Sequence, residues 1–298
     1  MNKNYFIGAF FGILAAVCYG TNPLGAVHLY RLGWVPETVI LYRMALALPV
    51  LALAGLVARD RFRPTKKDLL ATASLGALFA ASSCTFYTSF KIMDVGVAST
   101  ILFIYPIITA AIMVVFFKEK LRLTTLCAIA LATGGIAYLS LGGSEEHVIT
   151  LEGVVLMLIA ASTYAAYIVV VDRAPCTLPI ITMTFWIILF CLLFLALWTA
   201  LFIGSAGFIL PRSAAAWGYA GFLALVPTLL SLAFMSISAK RVGSTTTAVL
   251  GALEPLTAVA IGVFVFGEEF TRQLLVGILA VMTAVGLTLI PPKQRTKR

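Results

Sequence analysis

Two ionisable residues, Arg43 and Glu254, lie well inside apolar stretches of this chain. An ionised side chain at the centre of a bilayer costs at least about 2.5–3.5 kcal/mol, so such a residue usually faces a cavity or a partner. Both residues could therefore contact a substrate or a proton. The alternative is a structural role, as an ion pair or as a hydrogen-bonded residue of the core, and the sequence leaves that alternative open.

Five tyrosines, Asn22 and Trp186 are further candidates for the wall of such a cavity. An aromatic ring that carries a hydroxyl suits a metabolite with a cationic group or a ring. Asn22 adds an amide, and the pair Asn22-Pro23 predicts a break in its apolar stretch. Packing is the alternative role for each of these side chains. The predicted substrate-binding set is Tyr19, Asn22, Arg43, Tyr87, Tyr105, Tyr164, Tyr167, Trp186 and Glu254.

Pro106 and Pro255 each fall in the middle of an apolar stretch. A proline inside a helix lacks the N–H that would bond the preceding turn, and its ring kinks the helix. In transporters such breaks often mark the binding site or a bending point. We therefore predict that both prolines act as hinges, with a static kink that only improves packing as the alternative.

The polar pattern around Pro106 recurs around Pro255, 149 positions later. Five apolar stretches per copy force the two copies into opposite orientations, and inverted repeats are typical of alternating-access transporters. The copies differ where the first has Tyr105 and the second has Glu254, so Glu254 is the sharper functional candidate. The matching polar positions are Ser89, Lys91, Pro106 and Glu119 in the first copy, and Ser238, Lys240, Pro255 and Glu268 in the second.

Composition places the chain in a membrane. It is 61% hydrophobic and 11% charged, with a mean hydropathy of +1.05, which leaves too few charged side chains to cover a soluble protein. Apolar stretches of about 20 residues recur, each long enough to cross roughly 30 Å of hydrocarbon as a helix. We predict an all-α membrane protein with ten transmembrane helices arranged as two inverted five-helix repeats. The predicted spans are 5–28, 36–58, 69–90, 95–117, 122–141, 151–171, 178–204, 215–237, 244–266 and 272–290.

The distribution of charge predicts both the topology and the division of the chain. The net charge is +9, and if the spans alternate, sixteen Lys and Arg residues lie on one side and four on the other. This positive-inside bias puts both termini in the cytoplasm. We predict an integral protein of the bacterial cytoplasmic (inner) membrane. The bias argues for membrane lipid and against nucleic acid as a partner. The predicted units are a first repeat at 1–142, a second repeat at 148–292, and a basic cytoplasmic tail at 293–298.

Signatures of enzymes and of metal sites are missing from the sequence. There is no P-loop, no His-Glu-x-x-His and no Gly-x-Ser-x-Gly motif. The five cysteines are scattered, without the spacing of a metal site or of a disulfide framework. We expect no catalytic residue, no metal ligand and no cofactor, so that transport would be driven by a gradient or would run downhill.

Together, the span count, the arginine in the second span and the repeated Pro-x12-Glu pattern resemble the EamA-type permeases of the drug/metabolite transporter superfamily. The resemblance implies a secondary transporter of small metabolites such as amino acids, nucleosides or organic cations, often directed outward. Export of a metabolite such as an amino acid by alternating access is the leading expectation, with protons as the candidate coupling ion. An importer and a non-transporting scaffold or sensor are the alternatives. The segments that carry the resemblance are Tyr42-Arg43, Lys91 to Leu121, and Lys240 to Phe270, although the first copy has Lys118 where the second has Gly267.

Overall fold

In the computed structural model, all regular secondary structure of the described residues is helical. The described residues are 3–89, 92, 98, 101–141, 150–204, 208–267 and 270–289. Within them lie α1 Lys3–Gly20, α2 Asn22–Arg31, α3 Pro36–Val57, α4 Lys66–Ser89, α5 Tyr105–Phe117, α6 Leu123–Leu141, α7 Leu151–Arg173, α8 Ile180–Phe202, α9 Ala214–Leu223, a π-helical segment Ala224–Leu230, α10 Ser231–Val242, α11 Ser244–Leu250, α12 Leu253–Phe266 and α13 Arg272–Thr288.

Seven segments of the described chain are long and apolar enough to cross a membrane. They are α1 with α2, α3, α4, α7, α8, the stretch from α9 to α10, and α11 with α12. Three shorter apolar helices, α5, α6 and α13, coincide with the remaining predicted spans. The chain therefore has the helices of an integral membrane protein, while the ten spans and their inverted arrangement stay predictions.

Three of the long segments are interrupted. The first breaks at Thr21, between α1 and α2, beside Pro23, as the sequence predicted. The segment from α9 to α10 passes through a π-helical stretch that contains Pro227. The segment of α11 and α12 turns at Gly251. Pro23 lies in the first turn of α2, directly after the first break, whereas Pro227 lies inside the π-helical segment, where it cannot donate a backbone hydrogen bond to the preceding turn.

Helices that are distant in sequence form the closest neighbours in the bundle. The most extensive contacts join α6 to α13, α1 to α10, α4 to α7, and α8 to both α4 and α3. A single large core runs through these contacts and includes the fully buried Met44, Leu75, Tyr167 and Ile188. A smaller cluster around Leu29 joins α2 and the beginning of α3 to α9. The interrupted segments also contact one another, since α1 packs against both α10 and α12.

Candidate functional site

A small cavity lies where α1, α5, α7, α10, α11 and α12 meet. Four residues of the predicted set line it together, namely Tyr19, Tyr105, Tyr164 and Glu254. The free space admits only water-sized molecules, so a metabolite could enter only after the surrounding helices separate. The rest of the lining is small, apolar or weakly polar, and consists of Gly12, Ala15, Ala16, Ile168, Ser231, Met235, Thr247 and Gly251.

The tyrosine rings of the cavity hold one another in place. Tyr105 and Tyr164 pack edge to face, with ring centroids 4.9 Å apart and an interplanar angle of 80°. Phe103 adds a second edge-to-face contact to Tyr105, at 5.2 Å. This geometry is the favoured one for aromatic pairs. The cavity therefore has a fixed aromatic wall on the side of α5 and α7.

The Tyr105 hydroxyl caps the break in the ninth predicted span. At this turn the N–H of Ala252 bonds the carbonyl of Val249 at 3.1 Å instead of that of Ala248. The Tyr105 hydroxyl donates to the Ala248 carbonyl at 3.1 Å. A Cβ at Gly251 would collide with this hydroxyl, so the close approach requires glycine. The two residues that the sequence repeat aligns, Tyr105 and Glu254, thus lie on either side of the same turn.

Glu254 lies in the first turn of α12, directly after the turn at Gly251. Its N–H donates to the Gly251 carbonyl at 2.9 Å, which the next residue, Pro255, could not do. The side chain lines the cavity and is partly buried. The positive charge of Arg43 acts on this carboxyl group. The structure therefore places Glu254 at a helix break, in contact with the cavity and within the field of one buried cation.

Arg43 braces two helix breaks and does not line the cavity. Its Nε donates to Thr228 Oγ1 at 2.8 Å, and its Nη1 donates to Asn22 Oδ1 at 3.1 Å. Its Nη2 lies 3.5 Å from the Pro227 carbonyl. The guanidinium carbon is also 5.5 Å from the centroid of the Tyr19 ring, within the range of a cation–π contact. These contacts fit the structural alternative for Arg43, and its contact with a substrate stays a prediction.

Thr228 connects Arg43 to the π-helical break. Pro227 has no N–H to donate to the Leu223 carbonyl, and the Thr228 hydroxyl donates to that carbonyl instead, at 2.8 Å. The hydroxyl oxygen can then accept from Arg43. Asn22 has a matching role at the other break, since its Nδ2 donates to the Tyr19 carbonyl at 2.8 Å. Asn22 therefore lies beside the cavity, where it hydrogen-bonds both Arg43 and the backbone at the break between α1 and α2.

Of three further members of the predicted set, two lie away from the cavity, and the side chain of the third is outside the part of the chain that the structure describes. Tyr167 is fully buried in the main core, where its ring packs against Phe79 with centroids 5.3 Å apart. Trp186 lies near the loop between α3 and α4, and its Nε1 donates to the Phe62 carbonyl at 3.2 Å. Neither residue lines the cavity. The side chain of Tyr87 lies outside the described residues.

The prediction that Pro106 and Pro255 kink the interiors of helices was wrong in its geometry. Pro106 occupies the first turn of α5, which begins at Tyr105, and Pro255 occupies the first turn of α12. A missing N–H costs nothing in a first turn, because those groups have no partner within the helix. Each proline therefore follows a break instead of bending a continuous helix. Their role as hinges stays a prediction.

Glu119, one of the matching polar positions of the repeat, lies in a polar network at the end of α5. It lies 4.0 Å from the guanidinium of Arg173, which also contacts Asp172 at 3.3 Å. Asp172 in turn accepts hydrogen bonds from the N–H and the hydroxyl of Ser244, both at 3.2 Å. Burial raises the pKa of the Glu119 carboxyl above its usual value, although the charge of Arg173 opposes this. The network ties the ends of α5 and α7 to the beginning of α11.

The described part of the chain offers no group of three His, Cys, Asp or Glu side chains that could hold a metal ion. A second small cavity lies between α3, α4 and α8, where Glu37 and Cys84 are among the lining residues. It shares no lining residue with the central cavity. The central cavity is therefore the candidate site, because four predicted residues from different helices meet there.

Comparisons with known proteins agree on one class. The model of the EamA-like transporter family matches residues 6–141 and again 151–290. An uncharacterized transporter, YcbK, of Bacillus subtilis (strain 168) is 23% identical over 270 residues, which is 88% of this chain and 86% of the relative. An uncharacterized transporter of Archaeoglobus fulgidus is 25% identical over 275 residues, covering 91% and 94% of the two chains. A solved crystal structure at 17% identity has the same fold, with a TM-score of 0.79 over 94% of this chain and 95% of its own.

Proposed function

Since the chain belongs to the EamA-like transporter family, we propose that it is a secondary transporter that exports a small metabolite, such as an amino acid, by alternating access. Membership in the family establishes that the protein is a membrane transporter. The proposal that it moves a small metabolite by alternating access is supported by one observation, the central cavity in which Tyr19, Tyr105, Tyr164 and Glu254 meet. The outward direction rests on the family resemblance.

The packing of the helices supports two repeats of five spans. Numbering the predicted spans from one to ten, α6 and α13 are the fifth and tenth, α3 and α8 the second and seventh, and α5 and α11 parts of the fourth and ninth. Each of these equivalent pairs is in contact. The contact of α1 with α10 joins spans one and eight, and that of α7 with α4 joins spans six and three. These five contacts map onto one another when one half is exchanged for the other, as a twofold relation between the repeats requires.

The same relation places equivalent residues of the two halves around the cavity. Tyr19 and Tyr164 are 145 positions apart, and Tyr105 and Glu254 are 149 positions apart, and all four line it. A site on the axis between inverted repeats can be exposed to either side by equivalent motions of the two halves. The replacement of one tyrosine by a glutamate makes the site asymmetric in charge, so a substrate would bind in one preferred orientation.

The chemistry of the lining suits a substrate with an ammonium group. A carboxylate in a site of low polarity attracts a cation strongly, and aromatic faces add a favourable cation–π contribution of about 0.5–2 kcal/mol. The Glu254 carboxylate could hold either the ammonium group of an amino acid or a proton, but not both at once. Such competition would couple substrate leaving the cell to protons entering it. We propose protons as the coupling ion on this ground.

The test begins with a thermal-shift screen of the purified protein against a library of metabolites, because a ligand that binds only the folded state raises its stability. Metabolites that raise the Tm are then loaded into proteoliposomes and into protein-free liposomes, and their efflux from the two preparations is compared. Accelerated efflux of a stabilising metabolite supports the proposal. Stabilisation without flux in either direction would identify a sensor or scaffold, and flux that runs only inward in oriented vesicles would identify an importer.

A further inference from the structure

The loop between α3 and α4 carries the densest group of exposed cations in the described chain. Both flanking helices belong to candidate membrane spans, so the loop must lie at a membrane surface whichever way the protein is oriented. Three cationic side chains of the loop and the two in the adjoining first turn of α4 are all exposed. We call this group the basic surface, and it consists of Arg59, Arg61, Arg63, Lys66 and Lys67.

The aromatic side chain of Phe62, in the loop, is anchored in the bundle, and this fixes the shape of the basic surface. The Phe62 ring fills the space above Gly55 so closely that a Cβ there would lie 2.5 Å from it. The same ring packs edge to face on Phe185, with centroids 5.6 Å apart. The indole of Trp186 donates to the Phe62 carbonyl at 3.2 Å. The backbone between Arg61 and Arg63 is therefore anchored, and the Arg61 Nε donates to the Arg63 carbonyl at 3.0 Å.

The acidic residues of this region do little to neutralise the basic surface. Asp68 is completely buried, and its carboxylate accepts hydrogen bonds from the backbone and hydroxyl groups of Thr65 and Thr177. Asp60 is partly buried in the turn that closes α3, where its N–H donates to the Gly55 carbonyl at 2.9 Å. Five exposed cations therefore face one partly buried carboxylate.

Large apolar side chains adjoin the basic surface on both helices. Leu56 and Val57 at the end of α3 are 66% and 76% exposed, and Leu70 on the first turns of α4 is 71% exposed. In a membrane these side chains meet acyl chains, while the cations above them lie at the level of the phosphates. A soluble phosphate would use the cations alone, whereas a phospholipid would use both layers.

We propose that the basic surface is a binding site for the headgroups of anionic phospholipids. Clusters of four to eight Lys and Arg residues next to a transmembrane helix favour such lipids by charge. The anchored loop presents the charges in a fixed arrangement, so lipid binding needs little ordering of the chain. Because Phe62 and Asp68 connect the loop to α8 and to the segment before it, a bound lipid stabilises the contact of α3 and α4 with α8.

The test uses the full-length protein in detergent, with short-chain phosphatidylglycerol as the anionic probe. The variant Arg59→Gln, Arg61→Gln, Arg63→Gln removes three cations of the basic surface. Its control removes three exposed arginines elsewhere, with the same change of charge, through Arg31→Gln, Arg212→Gln and Arg272→Gln. Tm is measured against concentration of phosphatidylglycerol, of phosphatidylcholine with the same chains, and of inorganic phosphate.

We expect phosphatidylglycerol to raise the Tm of the wild-type and control proteins far more than either other compound. The loop variant should need a concentration higher by on the order of a hundredfold, the loss expected from three cations at about 1 kcal/mol each. Equal responses of the two variants would overturn the proposal. So would an equal response to inorganic phosphate, which would mean an anion site without lipid specificity. If the loop variant does not fold, the wild-type response must still weaken with rising salt, and a salt-independent response would contradict the proposal.

Discussion

The turn beside Glu254 yields the most specific prediction, because the Tyr105 hydroxyl fits there only if residue 251 is a glycine. Tyr105→Phe removes the hydroxyl that caps the Ala248 carbonyl, and leaving this carbonyl without a partner should cost about 1–3 kcal/mol of unfolding free energy. Gly251→Ala places a Cβ where the hydroxyl lies, so the tyrosine must move and the same hydrogen bond is lost. The displacement adds strain of about 1–3 kcal/mol.

The double variant separates these contributions. With phenylalanine at position 105, the new Cβ at position 251 meets the Ala248 carbonyl oxygen at 3.1 Å and the end of the ring, whose Cζ lies 3.3 Å away, and both contacts can be relieved by a shift of a few tenths of an ångström. Gly251 has a helical φ of −57°, so alanine itself should gain about 0.4–1 kcal/mol. Gly251→Ala should therefore be nearly neutral in the background of Tyr105→Phe, and the two changes should couple favourably by about the full cost of Gly251→Ala alone, roughly 2–6 kcal/mol from the lost hydrogen bond and the strain together.

The assay is thermal and detergent-induced unfolding of the four proteins of the cycle. Gly218→Ala is the matched control, since a Cβ at this exposed helical glycine would meet nothing within 4 Å. It should change stability by no more than the helix propensity of alanine. Additive effects of Tyr105→Phe and Gly251→Ala would refute the reasoning, as would a Gly251→Ala variant as stable as the control.

Three further predictions concern the hydrogen bonds of Arg43 to the two helix breaks, the prolines Pro106 and Pro255, and the membrane topology. Arg43→Gln removes two charge-assisted hydrogen bonds worth about 1.5–3 kcal/mol each. Tm should therefore fall, while the flux per folded molecule persists. Lost flux at an unchanged Tm would instead make Arg43 a substrate ligand. Pro106→Ala and Pro255→Ala should slow flux more than they lower Tm, since an added N–H can extend the helix across the break; a lower Tm with normal flux per folded molecule would reduce both prolines to packing residues. In intact cells, an impermeant thiol reagent should label Glu146→Cys and spare Pro64→Cys in a background without other cysteines; the reverse pattern would invert the topology.

The helical segments and part of the cavity could be predicted from the sequence because their signals are local. Continuous apolar stretches mark the spans, and a carboxyl group within such a stretch needs a cavity or a partner, which brought Glu254 to attention. The offset between the repeats then pointed to Tyr105, and the matching aromatic pair pointed to Tyr19 and Tyr164. All four line one cavity.

The roles of Arg43 and Trp186 could not be predicted, because their partners are distant in sequence. Arg43 bonds a hydroxyl 185 positions away, next to a carbonyl that Pro227 leaves without its usual donor. Trp186 bonds a carbonyl 124 positions away. A proline in the middle of an apolar stretch was the available signal for the π-helical break, and Pro227 gives that signal as clearly as Pro255 does. Gly251 gives no signal by itself, since only the packed Tyr105 hydroxyl requires glycine there.

The central claim, that Glu254 in the cavity couples substrate to protons, is tested most directly by the pH dependence of efflux in Glu254→Gln. Efflux of a metabolite that stabilises the protein is measured from proteoliposomes across mildly acidic to mildly alkaline pH, for the wild type, for Glu254→Gln and for Glu152→Gln. Glu152 is an exposed carboxyl on α7 and supplies the matched control. The account predicts that pH dependence disappears in Glu254→Gln alone, while its Tm and yield stay close to those of the wild type. A Glu254→Gln variant with a normal rate and a normal pH profile would contradict it and make Glu254 a structural residue.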